Sequence, residues 1–154
     1  MSSRFVKIVL YRPEIPQNTG NIARTCVGLD IELIIVGRPS FSLDDKSLKR
    51  AGLDYWEYLR LKLYEDWNEF LGRENPNYIL LFTKNGKVSI FDTKIVEGSY
   101  LVFGRETEGL PQYILDKYRD NTVFLPIIGN VRSYNLANSV AVAAFEAYRQ
   151  IFGH

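Results

Sequence analysis

Residues 125–142 read Leu125-Pro126-Ile127-Ile128-Gly129-Asn130-Val131-Arg132-Ser133-Tyr134-Asn135-Leu136-Ala137-Asn138-Ser139-Val140-Ala141-Val142. An apolar strand pattern is followed by a polar loop and then by a helix rich in small residues. Small side chains let another backbone approach a helix closely. One Ser or Asn cap explains only one of the polar groups at the helix entrance, which are Arg132, Ser133, Asn135 and Asn138. The junction therefore predicts a functional site.

Length and composition place the chain among globular proteins. It has 154 residues, of which 46% are hydrophobic and 24% charged, and we expect one domain over residues 1–154. No apolar run is long enough to span a membrane, and the first residues lead directly into a strand pattern, not a signal peptide. We therefore expect a cytoplasmic protein. The net charge of +1 disfavours avid, nonspecific nucleic-acid binding, although segregated charge is compatible with RNA.

The chain contains one cysteine, Cys26, and one histidine, His154. A single cysteine excludes a framework of intrachain disulfides. Together the two residues exclude most metal sites and any Ser-His or Cys-His nucleophile. We therefore expect no metal cofactor.

Short apolar runs alternate with helical patterns along the chain. The predicted strands are 5–11, Glu32–Val36, 78–82, 100–103 and 122–125, with an ambiguous further strand in 56–64. The predicted helices are 19–29, 42–52, 65–71 and 135–151, and Pro111 is expected at the first position of another. This alternation predicts an α/β fold with a mostly parallel sheet and helices on both faces. Ligands of such sheets bind beyond the carboxyl ends of the strands.

Polar, glycine-containing loops follow three of the predicted strands, at residues 13–21, 104–111 and 127–135. In the first, Asn18 or Thr19 is a candidate helix cap, which leaves Gln17, Asn21 and Arg24 unexplained. A cation near the positive end of a helix dipole indicates an anionic partner for Arg24.

In the second loop, Gly104 and Gly109 bracket a polar tetrad and permit close approach to a ligand, although an ordinary strand-to-helix turn is an equal alternative. The loop lacks the Lys-Ser/Thr pair of a P-loop, and the chain has no G-x-G-x-x-G. A small-molecule nucleotide-binding enzyme is therefore disfavoured.

Residues 13–24, 101–111 and 125–142 resemble, in order, the three motifs of SpoU-type 2′-O-ribose methylases in the SPOUT superfamily of RNA methyltransferases. The resemblance covers nearly the entire chain. Residues 44–46 and 50–55 further resemble the short tRNA wobble-nucleotide 2′-O-methyltransferases, which are little more than a catalytic domain. The chain departs from that pattern where relatives often carry Pro, Arg and an aliphatic residue, at Arg105, Glu108 and Tyr134.

The resemblance implies an α/β domain with a deep C-terminal trefoil knot, S-adenosylmethionine bound in the knot, a homodimer and a tRNA substrate. Position by position, it implies cofactor contacts from Phe82, Gly104, Leu125, Ile127 and Ser133. The implied catalytic residues are Arg24, Glu106, Ser133 and Asn135. The implied RNA contacts are Asn18, Asn21, Arg24 and Arg132.

The implied reaction is an in-line attack of a ribose 2′-oxygen on a sulfonium methyl group. The family often assigns the motif-one arginine as the base, but a guanidinium is effectively never deprotonated in proteins. We expect Arg24 to bind the adjacent phosphate and to stabilise negative charge on the ribose oxygen. The phosphate or Ser133 would then assist removal of the proton.

Two alternatives stay open within the resemblance. One is a SPOUT methylase that acts on another tRNA or rRNA position; the other is a knotted RNA-binding protein without catalysis. The presence of Arg24, Glu106, Ser133 and Asn135 argues against the second. The lack of an RNA-binding extension favours the short tRNA type by analogy.

Overall fold

A computed structural model describes residues 5–44, 46, 48, 50 and 54–153. Its strands are β1 (Val6–Tyr11), β2 (Glu32–Val36), β3 (Leu61–Tyr64), β4 (Ile79–Phe82), β5 (Val88–Ser89), β6 (Ser99–Phe103) and β7 (Thr122–Phe124). They form one sheet in the order β3-β2-β1-β6-β4-β7-β5, and every neighbouring pair is parallel. The predicted α/β class with a mostly parallel sheet is confirmed.

The described residues also form α1 (Pro16–Leu29), α2 (Trp67–Glu74), α3 (Gln112–Lys117) and α4 (Leu136–Phe152), with 3₁₀ turns at Trp56–Tyr58, Ile90–Asp92 and Arg119–Asn121. Over the part of the chain that is described, no helix combines the length and the apolar character that crossing a bilayer requires.

Helices cover both faces of the sheet, as predicted. On one face, Ile22 of α1 and Ala144 of α4 belong to the same buried apolar cluster. On the other face, Phe70 of α2 and Ile114 of α3 belong to a second cluster. Every residue of β2 and β6 is buried, and apart from Glu32 and Ser99 at their first positions these strands read as apolar runs.

The start of α1 differs from the prediction. The helix begins at Pro16, not at residue 19, because proline is well suited to the first helical position. Its N-cap is Ile15, which supplies no side-chain hydrogen bond, so the predicted capping by Asn18 or Thr19 is wrong. Likewise, Pro111 is the N-cap of α3 and not its first residue.

Two other regions differ in detail. Residues 56–64 divide into a 3₁₀ turn and β3, and the two-residue strand β5 is too short to show a sequence period. In the predicted helix 42–52, residues 46, 48 and 50 are helical, and residues 45, 47, 49 and 51–53 lie outside the described ones.

The connection between β4 and β5 crosses over β7. The strands β4 and β5 are consecutive in sequence, yet β7 lies between them in the sheet. The Thr83 N–H donates to the Val123 carbonyl at 2.9 Å, and the Lys87 N–H donates to the Thr122 carbonyl at 3.1 Å. A Cβ on Gly86 would lie 2.4 Å from the carbonyl carbon of Val123, so only glycine allows this crossing.

Candidate active site

Glu106 joins the loop after β6 to the start of α1. Its carboxylate accepts hydrogen bonds from the Glu14 N–H at 2.8 Å, the Ile15 N–H at 3.0 Å and the Asn18 side-chain amide at 3.2 Å. An anion here satisfies donors that precede a helix and interacts favourably with the positive end of the dipole. Glu106 therefore caps α1 from a distant loop, in place of a local Ser, Thr or Asn.

Glu14 makes the reciprocal contact. Its carboxylate accepts from the Thr107 N–H at 3.0 Å and from the Thr107 hydroxyl at 2.9 Å. Because each loop places a carboxylate on donors of the other, the loops after β1 and β6 are fixed to one another. These strands are neighbours in the sheet, so their carboxyl ends meet as the parallel topology requires.

Asn135 adds the third loop to this arrangement. Its side-chain amide donates to the side-chain oxygen Oδ1 of Asn18 at 3.0 Å, while its own side-chain oxygen accepts from the Asn138 N–H at 3.1 Å. Asn135 is thus the N-cap of α4 and also a link to α1. The chain of hydrogen bonds Glu106–Asn18–Asn135 brings together all three loops that the sequence predicted at this edge.

Asn18 has a different place from the one expected for an RNA contact. The residue is only 6% exposed, and both ends of its amide are bonded within the protein. Glu106 is similarly engaged through both carboxylate oxygens. These two side chains fix the positions of the loops relative to one another.

The loop after β6 is folded against itself. A Cβ on Gly104 would lie 2.2 Å from the carbonyl carbon of Gly109, and Arg105 and Gly109 form an antiparallel bridge. The close approach at Gly104 is therefore to the protein's own backbone. Arg105 also pairs with Glu108 at 3.2 Å and donates from Nε to the Gly109 carbonyl at 2.9 Å.

The loop after β7 leaves its backbone accessible. The structure records no backbone hydrogen bond between the peptide groups of residues 127–133 and other described residues. The hydroxyl of Tyr134 donates to the Pro126 carbonyl at 2.6 Å and so closes the base of the loop. Arg132 and Ser133 are exposed, and neither side chain has a recorded hydrogen bond to another described residue.

The remaining predicted cofactor residues lie at strand ends. Phe82 ends β4 and stacks on Phe103, its register partner in β6, with ring centroids 4.6 Å apart. Leu125 directly follows β7, is half-buried and packs against the core. Ile127 is also half-buried. An aromatic ring, aliphatic groups and unpaired peptide groups therefore lie along the same edge of the sheet.

Arg24 and Asn21 are exposed on α1. Because α1 begins at Pro16, Arg24 lies in the middle of the helix, and the dipole argument for an anionic partner is wrong. Its observed partner is Tyr55. The guanidinium carbon lies 4.7 Å from the centroid of the Tyr55 ring, and Nη2 donates to the Tyr55 hydroxyl at 3.0 Å.

The sequence alone predicts no role for Glu14, Tyr55 or Thr107. Glu14 and Thr107 lie within the predicted loops, so their position was available, although their pairing was not. Tyr55 is 31 residues from Arg24 and belongs to a different element, so no periodicity connects them.

The sequence and the fold are both similar to those of known methyltransferases. The sequence matches the model of the SpoU rRNA methylase family over residues 6–145. It is 42% identical over 147 residues to the tRNA (cytidine(34)-2′-O)-methyltransferase of Escherichia coli (strain K12), covering 95% of this chain and 94% of that relative.

Two solved structures of methyltransferases are also similar to this chain. One, described as giving structural insights into the 2-OH methylation of C/U34 on tRNA, has a TM-score of 0.92 at 43% identity and covers 97% of both chains. The other is the SpoU methyltransferase AviRb from Streptomyces viridochromogenes in complex with AdoMet. Its TM-score is 0.85 at 25% identity, and the match covers 100% of this chain and 63% of that one.

Proposed function

Since this chain belongs to the SpoU rRNA methylase family, we propose that it transfers a methyl group from S-adenosylmethionine to the ribose 2′-OH of the tRNA wobble nucleotide, a cytidine or a modified uridine. The observation that carries the proposal is the chain of hydrogen bonds Glu106–Asn18–Asn135, which joins the loops after β1, β6 and β7. Alignment of two reactants depends on fixed loops of this kind. The name of the Escherichia coli relative supports nucleotide 34 as the target.

The residues at the sheet edge fit S-adenosylmethionine, which has an adenine ring, a sulfonium and no phosphate. Peptide groups of residues 127–133 are available for polar contacts, and the chain lacks a phosphate-cradling loop. The residues that would hold the cofactor are Phe82, Gly104, Leu125, Ile127 and Ser133. When bound, the sulfonium supplies an electrophilic methyl group.

Exposed residues beside this edge would receive the RNA. Arg24 binds the phosphate next to the target ribose and stabilises negative charge on the 2′-oxygen, because its guanidinium stays protonated. Ser133, or that phosphate, assists removal of the hydroxyl proton. Asn21 on α1 and Arg132 in the loop after β7 contact the RNA. Asn18, Glu106 and Asn135 hold those loops in position.

The direct test uses two anticodon stem-loops and labelled S-adenosylmethionine. One stem-loop carries cytidine at the wobble position and the other carries 2′-O-methylcytidine there. We expect label only in the first, mapped to the wobble ribose. Label in both stem-loops indicates a methylase of another position. Cofactor binding without transfer to these substrates, to total tRNA or to rRNA indicates an RNA-binding protein without catalysis.

The role of Arg24 has its own test. Arg24→Lys keeps the charge but loses the planar fork that binds two phosphate oxygens, so we expect methyl transfer to fall at least about tenfold. Arg38→Lys changes another exposed arginine, outside the three loops, and serves as the control. Near-wild-type transfer by Arg24→Lys, with unchanged RNA affinity, contradicts a phosphate role that needs the fork.

The proposal includes a C-terminal trefoil knot. Support comes from β7, which lies between β4 and β5 beneath the connection formed by residues 83–87. The chain would continue from β7 through that connection into α4. This threading would shape the cofactor pocket from the same loops.

The proposal also includes a homodimer. Val142, Phe145 and Phe152 lie on one side of α4 and are 44%, 57% and 47% exposed. Their helical spacing puts them on one exposed side of α4, an apolar stripe interrupted by Arg149, which a second copy of the chain would cover. Because the net charge is only +1, two subunits would assemble the tRNA surface together. The expected cytoplasmic location stays a prediction.

A further inference from the structure

Arg24 has two different contacts with one aromatic residue. Its guanidinium carbon lies 4.7 Å from the centroid of the Tyr55 ring, and its Nη2 donates to the Tyr55 hydroxyl at 3.0 Å. The ring contact restrains the distance between the two side chains, and the hydrogen bond restrains rotation of the guanidinium. An exposed arginine on a helix otherwise samples many rotamers.

Tyr55 is itself held by the scaffold. Its carbonyl accepts from the Tyr58 N–H at 3.0 Å at the start of the 3₁₀ turn. Trp56, which begins that turn, and Leu59, which follows it, pack against the same core cluster as α1. The Tyr55 ring is half-buried. The backbone that carries Tyr55 is therefore held against the scaffold, and its half-buried side chain has less freedom than an exposed one.

The contact leaves Arg24 able to bind an anion. A guanidinium has five N–H donors, and the recorded hydrogen bond uses one of them. Within the described ranges, no carboxylate is recorded as an ion-pair partner of Arg24. An aromatic partner holds the cation without neutralising it, whereas a carboxylate would compete with a phosphate.

We infer that Tyr55 is a positioning residue for methyl transfer, which orients the Arg24 guanidinium toward the phosphate beside the target ribose. The inference rests on the proposed function. Orientation before binding avoids an entropy loss when the RNA arrives and keeps the cation aligned during the reaction. Tyr55 acts through Arg24 and needs no contact with the cofactor or the ribose.

The experiment is a double-mutant cycle on methyl transfer to the wobble-cytidine stem-loop. Tyr55→Leu removes both contacts, and we expect kcat to fall about tenfold with the S-adenosylmethionine Kd unchanged within about twofold. In an Arg24→Ala background the same change should cost less than about twofold, because no guanidinium remains to be oriented. Tyr55→Phe keeps the ring and should restore part of the lost rate.

Tyr58→Leu is the matched control, because Tyr58 lies in the same turn, is 66% exposed and has no recorded contact with Arg24. Its effect should be equal in the wild-type and Arg24→Ala backgrounds. A wild-type protein that transfers no methyl overturns the proposed function and this role together. A wild-type rate in Tyr55→Leu, or an equal loss in both backgrounds, overturns the positioning role alone. If Tyr55→Leu fails to fold, Tyr55→Phe replaces it in the cycle, because its ring packing is intact. A wild-type rate, or an equal loss in both backgrounds, then overturns the positioning role in the same way.

Discussion

The side-chain amide of Asn135 donates a hydrogen bond at 3.0 Å to the side-chain oxygen of Asn18, a residue 117 positions earlier in the chain. Asn18 in turn donates to Glu106 at 3.2 Å. A single buried amide therefore sets the distance between α1, the loop after β6 and the start of α4. Its donor end faces a carboxylate and its acceptor end faces an amide N–H, so its orientation is determined.

Asn18→Asp is expected to destabilise the protein. Residue 18 is only 6% exposed, so the substitution replaces the amide that donates to Glu106 with a second carboxylate beside it, and the two like charges repel. We expect the free energy of unfolding in urea to fall by about 1–3 kcal/mol and S-adenosylmethionine binding to weaken. Asn21→Asp adds the same charge at an exposed position of the same helix and is the control. Equal unfolding free energies for the two variants contradict the role of this amide.

Gly104→Ala is expected to open the loop after β6. The new Cβ would lie 2.2 Å from the Gly109 carbonyl carbon and 2.4 Å from the Leu110 nitrogen, and both are backbone atoms that cannot rotate away. Overpacking of this kind costs about 1–3 kcal/mol. Gly129→Ala is the control, since its Cβ would meet no atom within 4 Å. Thermal unfolding compares the variants; the same Tm for both would show that the loop does not need glycine at residue 104.

Tyr134→Phe is expected to weaken cofactor binding. Loss of the hydroxyl removes the bond to the Pro126 carbonyl, which closes the base of the loop after β7. The loop must then lose more entropy on binding, and the Kd for S-adenosylmethionine should rise about two- to tenfold. Calorimetry measures this, with Tyr78→Phe as an exposed control outside the loop. An unchanged Kd in Tyr134→Phe would mean that the loop keeps its shape without the bond.

Glu74→Gln is expected to change stability in acid. Burial alone favours the protonated carboxyl, but hydrogen bonds from Tyr64, Tyr100 and Lys62 outweigh it and hold the pKa of Glu74 below its ordinary value of 4.5. A lowered folded-state pKa stabilises the protein above the ordinary value, and this contribution is lost as the pH falls through the folded-state pKa.

Urea unfolding from pH 7 down to acid measures this effect. We expect Glu74→Gln to lose about 1–3 kcal/mol at neutral pH, because the Glu74 side chain is only 5% exposed, and to depend less steeply on pH below 4.5. Glu97→Gln removes an exposed carboxylate and is the comparison. If the unfolding free energy of Glu74→Gln falls as steeply below pH 4.5 as that of the wild type, the pH dependence belongs to other groups.

Phe145→Glu is expected to produce a monomer. Phe145 is 57% exposed in the centre of the apolar stripe on α4, and a charge buried there without a partner should weaken self-association at least about thirtyfold. Tyr78→Glu alters an aromatic residue of similar exposure, 56%, away from α4. Sedimentation velocity distinguishes the two. A wild-type protein that already sediments as a monomer contradicts the dimer, and a dimeric Phe145→Glu contradicts this interface.

Much of the sheet could be predicted from the sequence because its strands are buried on both faces. Glu32–Val36 and the core of β6 have no polar residue on an exposed side, so each reads as an apolar run. The parallel topology then predicts that the loops after β1, β6 and β7 meet at one edge. By contrast, Val88–Ser89 has too few residues to show any pattern.

The pairings within the site could not be predicted in the same way. The sequence predicts too late a start for α1, because Asn18 and Thr19 have the chemistry of caps. The capping group is Glu106, which accepts a hydrogen bond from the Glu14 N–H, 92 residues away in the chain. Rules for helix capping consider only residues near the helix in sequence, so they do not identify so distant a partner. The contact between Arg24 and Tyr55 is of the same kind, since two elements meet only after the sheet has formed.

The position of β7 between β4 and β5 sets an order of events during synthesis. Among the described residues, β5 pairs only with β7, so Val88 and Ser89 lack this sheet partner until residues 122–124 have left the ribosome. The crossing of residues 83–87 over β7, with Gly86 against its backbone, then completes the sheet late. Contacts that join distant parts of a chain form slowly. Refolding of the full chain should therefore have a slow phase in which the first strands are already protected from hydrogen exchange and the far edge of the sheet is not.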